Sequence, residues 1–207
     1  MSTERLILVG AGAFARELAH WAEDAHRAGQ GPAVAGCLDD GDGRVPGLAH
    51  LGAFGAYGAR AGAGRVLAGA GREGRGRVAA ALAARGARFG RVIHPSAVVA
   101  RSAVIGEGVV LCPQSVVSAD ARVEAHVAVN ILSCVGHDVV LGAASTLSSQ
   151  VDLTGRVVVG EGCFFGSGAR VLPGVEIGAG SRIGAGAVVV RKVPAGSVVY
   201  APPARKL

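Results

Sequence analysis

From Ile93 to Pro194 an aliphatic residue or Phe165 returns at every sixth position, through seventeen hexads held in one register. Written in sixes, the stretch begins IHPSAV, VARSAV, IGEGVV and ends IGAGAV, VVRKVP. The first place is always Ile, Val, Leu or Phe, and the fifth is always Ala, Val, Ser or Cys. Six residues are too few for a helix, and the scattered glycines exclude a coiled coil. A hexad instead suits one flat face of a three-sided parallel β-helix, its large apolar residue pointing inward and its small one filling a crowded corner. Three hexads make one coil, so the seventeen give nearly six. Each coil buries its apolar column only by stacking on its neighbours, which makes the array cooperative and leaves both ends in need of caps. Glycines at the second and fourth places, among them Gly106, Gly108, Gly160 and Gly162, are expected to supply backbone freedom at the corners. The general rule for parallel crossovers predicts right-handed winding.

The repeat claims about half of the 207 residues and explains much of the glycine, 34 residues in all. The net charge of +6 is carried almost entirely by arginine and is scattered, with aromatic residues at only 4%. No aromatic platform accompanies the charge, so nucleic acid is not expected as a partner. A mildly basic surface suits a phosphorylated small molecule better. Cys37, Cys112, Cys134 and Cys163 show no C-x-x-C spacing and read as reduced thiols. No leader precedes an apolar run of signal length and no uncharged stretch is long enough to span a membrane, so a cytoplasmic protein without a membrane partner is expected.

Ahead of the repeat, Leu6 to Val9 reads as a strand running into Gly10-Ala11-Gly12-Ala13-Phe14-Ala15. A helix with Phe14, Leu18, Trp21 and Ala22 on one face follows. Strand, glycine turn and helix present free N–H groups and a positive helix end to a phosphate, and the spacing is a G-x-G-x-x-A variant of the dinucleotide fingerprint. A tight turn with no ligand fits the same residues. Ala33 to Leu38 reads as a second strand ending in Asp39-Asp40, where a carboxylate could accept hydrogen bonds from a ribose or base; these aspartates lie further along than a nicotinamide site requires. Val45-Pro46-Gly47-Leu48 is a turn, Arg65 to Ala68 a third strand, and Arg75 to Arg88 a helix. The result is a Rossmann-like β-α-β-α unit over residues 1–90, short for a dinucleotide and better sized for a mononucleotide. The solenoid occupies residues 91–194 and a tail residues 195–207.

Reactive side chains are few. His20, His26, His50 and His94 read as structural or solvated. His137 sits third in its hexad beside Asp138. A neutral imidazole there can take a proton from an amine or hydroxyl attacking a thioester, while a carboxylate fixes its tautomer. Adjacent strand residues point to opposite faces, so Asp138 reaches His137 only if the chain turns between them. A zinc site would need three converging ligands; His126 and His137 are not a whole number of hexads apart and no third histidine is near, so no metal is expected.

A glycine-turn domain joined to a hexapeptide solenoid, with Gly136-His137-Asp138 midway, resembles the hexapeptide-repeat sugar acyltransferases, among them the sialic acid O-acetyltransferase-like and bacillosamine-pathway N-acetyltransferase proteins. Cys37-Leu38-Asp39-Asp40, Ile93-His94-Pro95-Ser96-Ala97 and Pro203-Ala204-Arg205 extend the resemblance over the whole chain. It implies a left-handed, homotrimeric β-helix. It also implies catalysis by His137, assisted by Asp138 and Asn130. An acyl-CoA, acetyl-CoA first, would lie between subunits near Gly155, Thr146, Phe165, Gly166, Gly168, Gly184 and Gly186, with the Gly155 N–H on the thioester oxygen. A sugar nucleotide would bind at Gly10, Gly12, Ala13, Phe14, Asp39 and Asp40. Thr146 stands where family members often carry histidine, Gly69-Ala70-Gly71 lacks their Asn or Asp, and Ala201-Pro202-Pro203-Ala204 replaces the closing G-x-P-A. The implied reaction is direct acetyl transfer to a nucleotide-linked amino sugar. O-acylation of a sugar or metabolite hydroxyl is the alternative within enzymes, and a non-catalytic trimeric nucleotide-binding module the alternative outside them.

Overall fold

The computed structural model describes residues 5–57, 64–68 and 74–203. Gly69-Ala70-Gly71 and the Ala204-Arg205-Lys206 end of the tail lie outside them. The first residues form a parallel sheet of three strands, β1 (Arg5–Val9), β2 (Val34–Leu38) and β3 (Gly64–Ala68), in the order β2-β1-β3. Helix α1 (Ala13–Arg27) follows β1 and helix α2 (Arg75–Ala83) follows β3. The apolar run Leu6 to Val9 is buried on both sides of the sheet, as expected for parallel strands covered on both faces. Helix α2 is shorter than the predicted Arg75 to Arg88, because Gly86 turns the chain at φ 75° and sends Phe89 back beside Val66.

The repeat forms a left-handed parallel β-helix of about six turns, the hand that the resemblance implied and the opposite of the general crossover rule. Its two-residue strands stack into three sheets of seven, six and five strands. Face one starts at Val92–Ile93, face two at Val98–Val99 and face three at Val104–Ile105. Up to the strand Val188–Val189, each strand residue pairs with the one eighteen positions on, a full coil later, as Ala128 with Thr146 and Cys134 with Asp152. The first-place column (Leu111, Val129, Leu147, Phe165, Ile183) is fully buried, and the fifth-place residues Val109, Val127, Val139 and Val157 share its core. The ladder continues one strand beyond Pro194, where Val198–Val199 adds to face one.

The corners show two separate requirements. From Gly108 to Gly186 the fourth-place residues take a left-handed conformation whether or not they are glycine: Asp138 has φ 58° and Leu132 φ 58°. Second-place glycines have ordinary backbone angles, but a Cβ on Gly142 would come within 2.5 Å of the Gly160 carbonyl carbon in the next coil. Those glycines answer crowding between coils, and the expected conformational freedom is needed only at the fourth place.

The outward residues of face one receive the N-terminal unit. Val92, Val110 and Ala128 are buried with Ala15, Leu18 and Ala22 of α1 in one apolar cluster. Phe14 and Trp21, predicted on the same helix face, pack half-buried at its margin with ring centroids 6.2 Å apart.

Candidate active site

His137 and Asp138 form the turn from face two to face three. The left-handed φ of Asp138 folds its carboxylate back along the chain, and His137 Nδ1 lies 2.7 Å from Asp138 Oδ2. The turn that the sequence alone left open is therefore present. The two side chains are 56% and 53% exposed, so the imidazole stands at the surface. One coil later, the Arg156 N–H donates to the His137 carbonyl oxygen at 2.9 Å, which stacks Gly155 over the histidine. A Cβ on Gly155 would overlap Nε2 and Cε1 of His137. The Gly155 N–H makes no backbone hydrogen bond among the described residues. A base whose Nδ1 faces a carboxylate thus stacks against a glycine one coil later whose amide N–H has no backbone partner. Such a pair can remove a proton from a nucleophile and stabilise the oxyanion it creates.

Asn130, Gly166, Gly168, Gly184 and Gly186 lie at a different edge of the prism, between faces one and two. A single chain does not bring them to His137. The Asn130 Oδ1 accepts the Ile131 N–H at 2.8 Å, while Gly168 and Gly186 take φ values of 72° and 67°. Phe165 requires a correction. Its side chain is fully buried in the core, because a first-place residue points inward, and it offers nothing to a ligand outside. Thr146 points outward from face one and accepts a hydrogen bond from Arg75 Nη1 at 3.1 Å, so it belongs to the junction between the two halves of the chain.

At the glycine turn, Gly10 has φ 108° and Gly12 caps α1 with no side-chain hydrogen bond and no acidic residue in the first turn. A Cβ on Gly12 would meet nothing within 4 Å, so there is open space beside the residue that caps the positive end of a 15-residue helix. Both aspartates bind backbone. Asp39 accepts the Ala11 N–H at 2.8 Å through Oδ2 and the Gly41 N–H at 2.9 Å through Oδ1, which holds the turn in shape. Asp40 accepts the Phe54 N–H at 2.7 Å.

Sequence reasoning missed Arg75, the first residue of α2. It is 2% exposed, donates through Nη1 to Thr146 Oγ1 and to the carbonyls of His126 and Ser145, and has no partner for Nε. Its Cζ lies 5.8 Å from the Phe14 ring centroid, and no carboxylate pairs with it among the described residues. Burial lowers its pKa to about 10. Burial also lowers that of His126, whose ring meets Phe89 edge-on at 4.5 Å. An arginine just after a short strand was the available signal; its contacts 71 residues away were not.

Burial pushes the Cys112, Cys134 and Cys163 thiols up, so none is prepared as a thiolate nucleophile. Among the described residues no three His, Cys, Asp or Glu side chains converge as metal ligands, and no helix is long and apolar enough to cross a membrane.

Residues 156–191 match the family described as bacterial transferase hexapeptide (six repeats). Among solved structures, the chain is 31% identical to the acetyltransferase domain of PglB from Neisseria gonorrhoeae, over 98% of this chain and 99% of that one, with a TM-score of 0.85. That domain has also been solved with acetyl coenzyme A. PerB from Caulobacter crescentus, solved with CoA and GDP-perosamine, is 33% identical over 99% and 97% of the two chains, with a TM-score of 0.88. WeeI from Acinetobacter baumannii is 25% identical over 99% and 100%, with a TM-score of 0.85. With that identity sustained over nearly the full length of both chains, the protein belongs to the hexapeptide-repeat sugar acyltransferases.

Proposed function

We propose that this protein is an acetyl-CoA-dependent N-acetyltransferase acting on a nucleotide-linked amino sugar. The observation that carries the reading is the His137–Asp138–Gly155 cluster, a base oriented by a carboxylate and stacked under an unused amide N–H. The acceptor amine attacks the thioester carbonyl, and His137 Nε2 takes its proton. Asp138 holds the Nδ1 side and supports the imidazolium. The Gly155 N–H receives the oxyanion. Collapse expels the coenzyme A thiolate, to which His137 returns the proton. With no activated thiol at hand, transfer is direct and passes through no acyl-enzyme.

The first ninety residues are read as a Rossmann-like acceptor domain. The order β2-β1-β3 reverses between β1 and β3, and ligands of open parallel sheets sit at the carboxyl ends of the strands flanking such a reversal. Gly12, where an added Cβ would meet nothing within 4 Å, lies in the loop after β1. The solenoid is read as a homotrimer in the cytoplasm. Placing one subunit's His137 edge against another's Asn130, Gly166 and Gly184 edge would join the two candidate sets that a single chain keeps apart.

The test is thiol release from acetyl-CoA across nucleotide-linked amino sugars and their hydroxy analogues, with His137→Ala as control. Release with an amino acceptor, lost in the variant, is expected. Release only with hydroxy acceptors would move the reading to O-acylation, and failure to bind acetyl-CoA would leave a nucleotide-binding module.

A further inference from the structure

At the turn from face two to face three, the second places of successive coils are Ala100, Ser118, Gly136, Thr154, Leu172 and Val190. All but one carry a side chain, so winding alone does not demand glycine in this column. Gly136 is the exception, and its φ lies outside the left-handed region. A Cβ there would come within 2.7 Å of the Leu153 carbonyl oxygen, 2.8 Å of the Thr154 carbonyl carbon and 3.0 Å of the Gly155 nitrogen. The Thr154–Gly155 peptide therefore rests directly on Gly136. Hydrogen-bond lengths along the column record the same displacement. Ala100, Ser118 and Leu172 each donate to the next coil at 2.9 Å, whereas Gly136 donates to the Leu153 carbonyl at 2.7 Å and Thr154 to the Val171 carbonyl at 3.2 Å. The Thr154 hydroxyl supplements that stretched contact, donating to the same Val171 carbonyl at 2.6 Å.

A bare glycine on one side and a hydroxyl on the other thus fix the height of a single peptide, the one whose N–H belongs to Gly155. That N–H has no backbone acceptor among the described residues, and the His137 ring lies against the same glycine. An oxyanion donor acts over a narrow range of distance, and close-packed coils pass on a shift of a few tenths of an ångström. On the reading of the Gly155 N–H as the oxyanion donor, on which this inference rests, we propose that Gly136 and Thr154 are its positioning residues. They set the height of the N–H against His137 so that it meets the thioester carbonyl.

Calorimetric titration of the full chain with acetyl-CoA and with S-ethyl-CoA, which lacks the thioester carbonyl oxygen, tests this. Wild type should prefer acetyl-CoA by about fivefold, the scale of one neutral hydrogen bond. Gly136→Ala should abolish the preference while S-ethyl-CoA binds as before. Thr154→Val keeps the side-chain shape without the hydroxyl; it should reduce the preference in the same direction, and it carries the test if the alanine variant does not fold. Gly142→Ala brings a comparable clash to another edge and should leave the preference intact. With an amino acceptor, Gly136→Ala should lower kcat about tenfold or more, leaving the acceptor KM and the pH limb set by His137 in place. A preference kept in folded Gly136→Ala, or lost equally in Gly142→Ala, would overturn the proposal and spare the Gly155 reading. No preference in wild type would overturn both. Loss confined to the Gly136 and Thr154 variants of a protein that acetylates no acceptor would support the positioning and fail the reaction alone.

Discussion

Gly155 stands where any side chain would collide with the imidazole of His137: a Cβ there would overlap Nε2 and Cε1. Its backbone is outside the left-handed region, so glycine is required by the neighbouring ring and not by conformation. Gly155→Ala should fold and push His137 out of place. Turnover is expected to fall about a hundredfold, the scale of a lost general base, with the circular dichroism spectrum unchanged. Wild-type turnover in this variant would separate His137 from the chemistry.

Asp138 combines a carboxylate on Nδ1 with a left-handed backbone, and asparagine tolerates that conformation well. Asp138→Asn therefore removes the charge while keeping the turn. Steady-state kinetics should show kcat lowered about tenfold, less than for His137→Ala, with little change in the KM for acetyl-CoA. An unchanged kcat would make the pair a surface contact only.

Phe165 fills the first-place column and has no exposed surface. Truncation to alanine leaves a cavity that rigid neighbouring coils cannot close, costing about 3–5 kcal/mol in denaturant unfolding. Once folded, Phe165→Ala should bind CoA as the wild type does. Selective loss of CoA affinity without loss of stability would restore Phe165 to the ligand site.

Arg75 carries an uncompensated charge into the junction. Its pKa falls to about 10 on burial, so the cost of holding the cation there is fully present below pH 10 and lessens only as the pH rises past that value. At pH 7, Arg75→Leu removes that cost together with the hydrogen bonds to Thr146, His126 and Ser145. Because an isolated buried charge outweighs neutral hydrogen bonds, the melting temperature should stay level or rise. A drop of more than about 5 °C would show that the hydrogen bonds dominate.

The solenoid was legible because its information is local and repeated. A first-place aliphatic and a small fifth-place residue recur in every hexad, and each occupies the core as the pattern requires. The strand, glycine turn and helix from Leu6 onward were legible for the same reason, since periodicity and capping act within a few residues. His137 and Asp138 were found as neighbours in sequence, but their contact depended on a left-handed φ that a non-glycine residue does not announce.

What only the tertiary structure decided lies between segments distant in the chain. Stacking of coils put Gly155 on His137 and assigned Asn130 to another edge, and docking of α1 and α2 on face one brought Arg75 to Thr146. The sequence by itself determined the repeat, its inward and outward columns and the residue types able to do acid–base chemistry, because these follow from hydrophobic burial at a fixed period. Handedness, corner identity and the partners of a buried arginine followed from how whole coils and a separate sheet pack, a three-dimensional arrangement that no single window of residues contains.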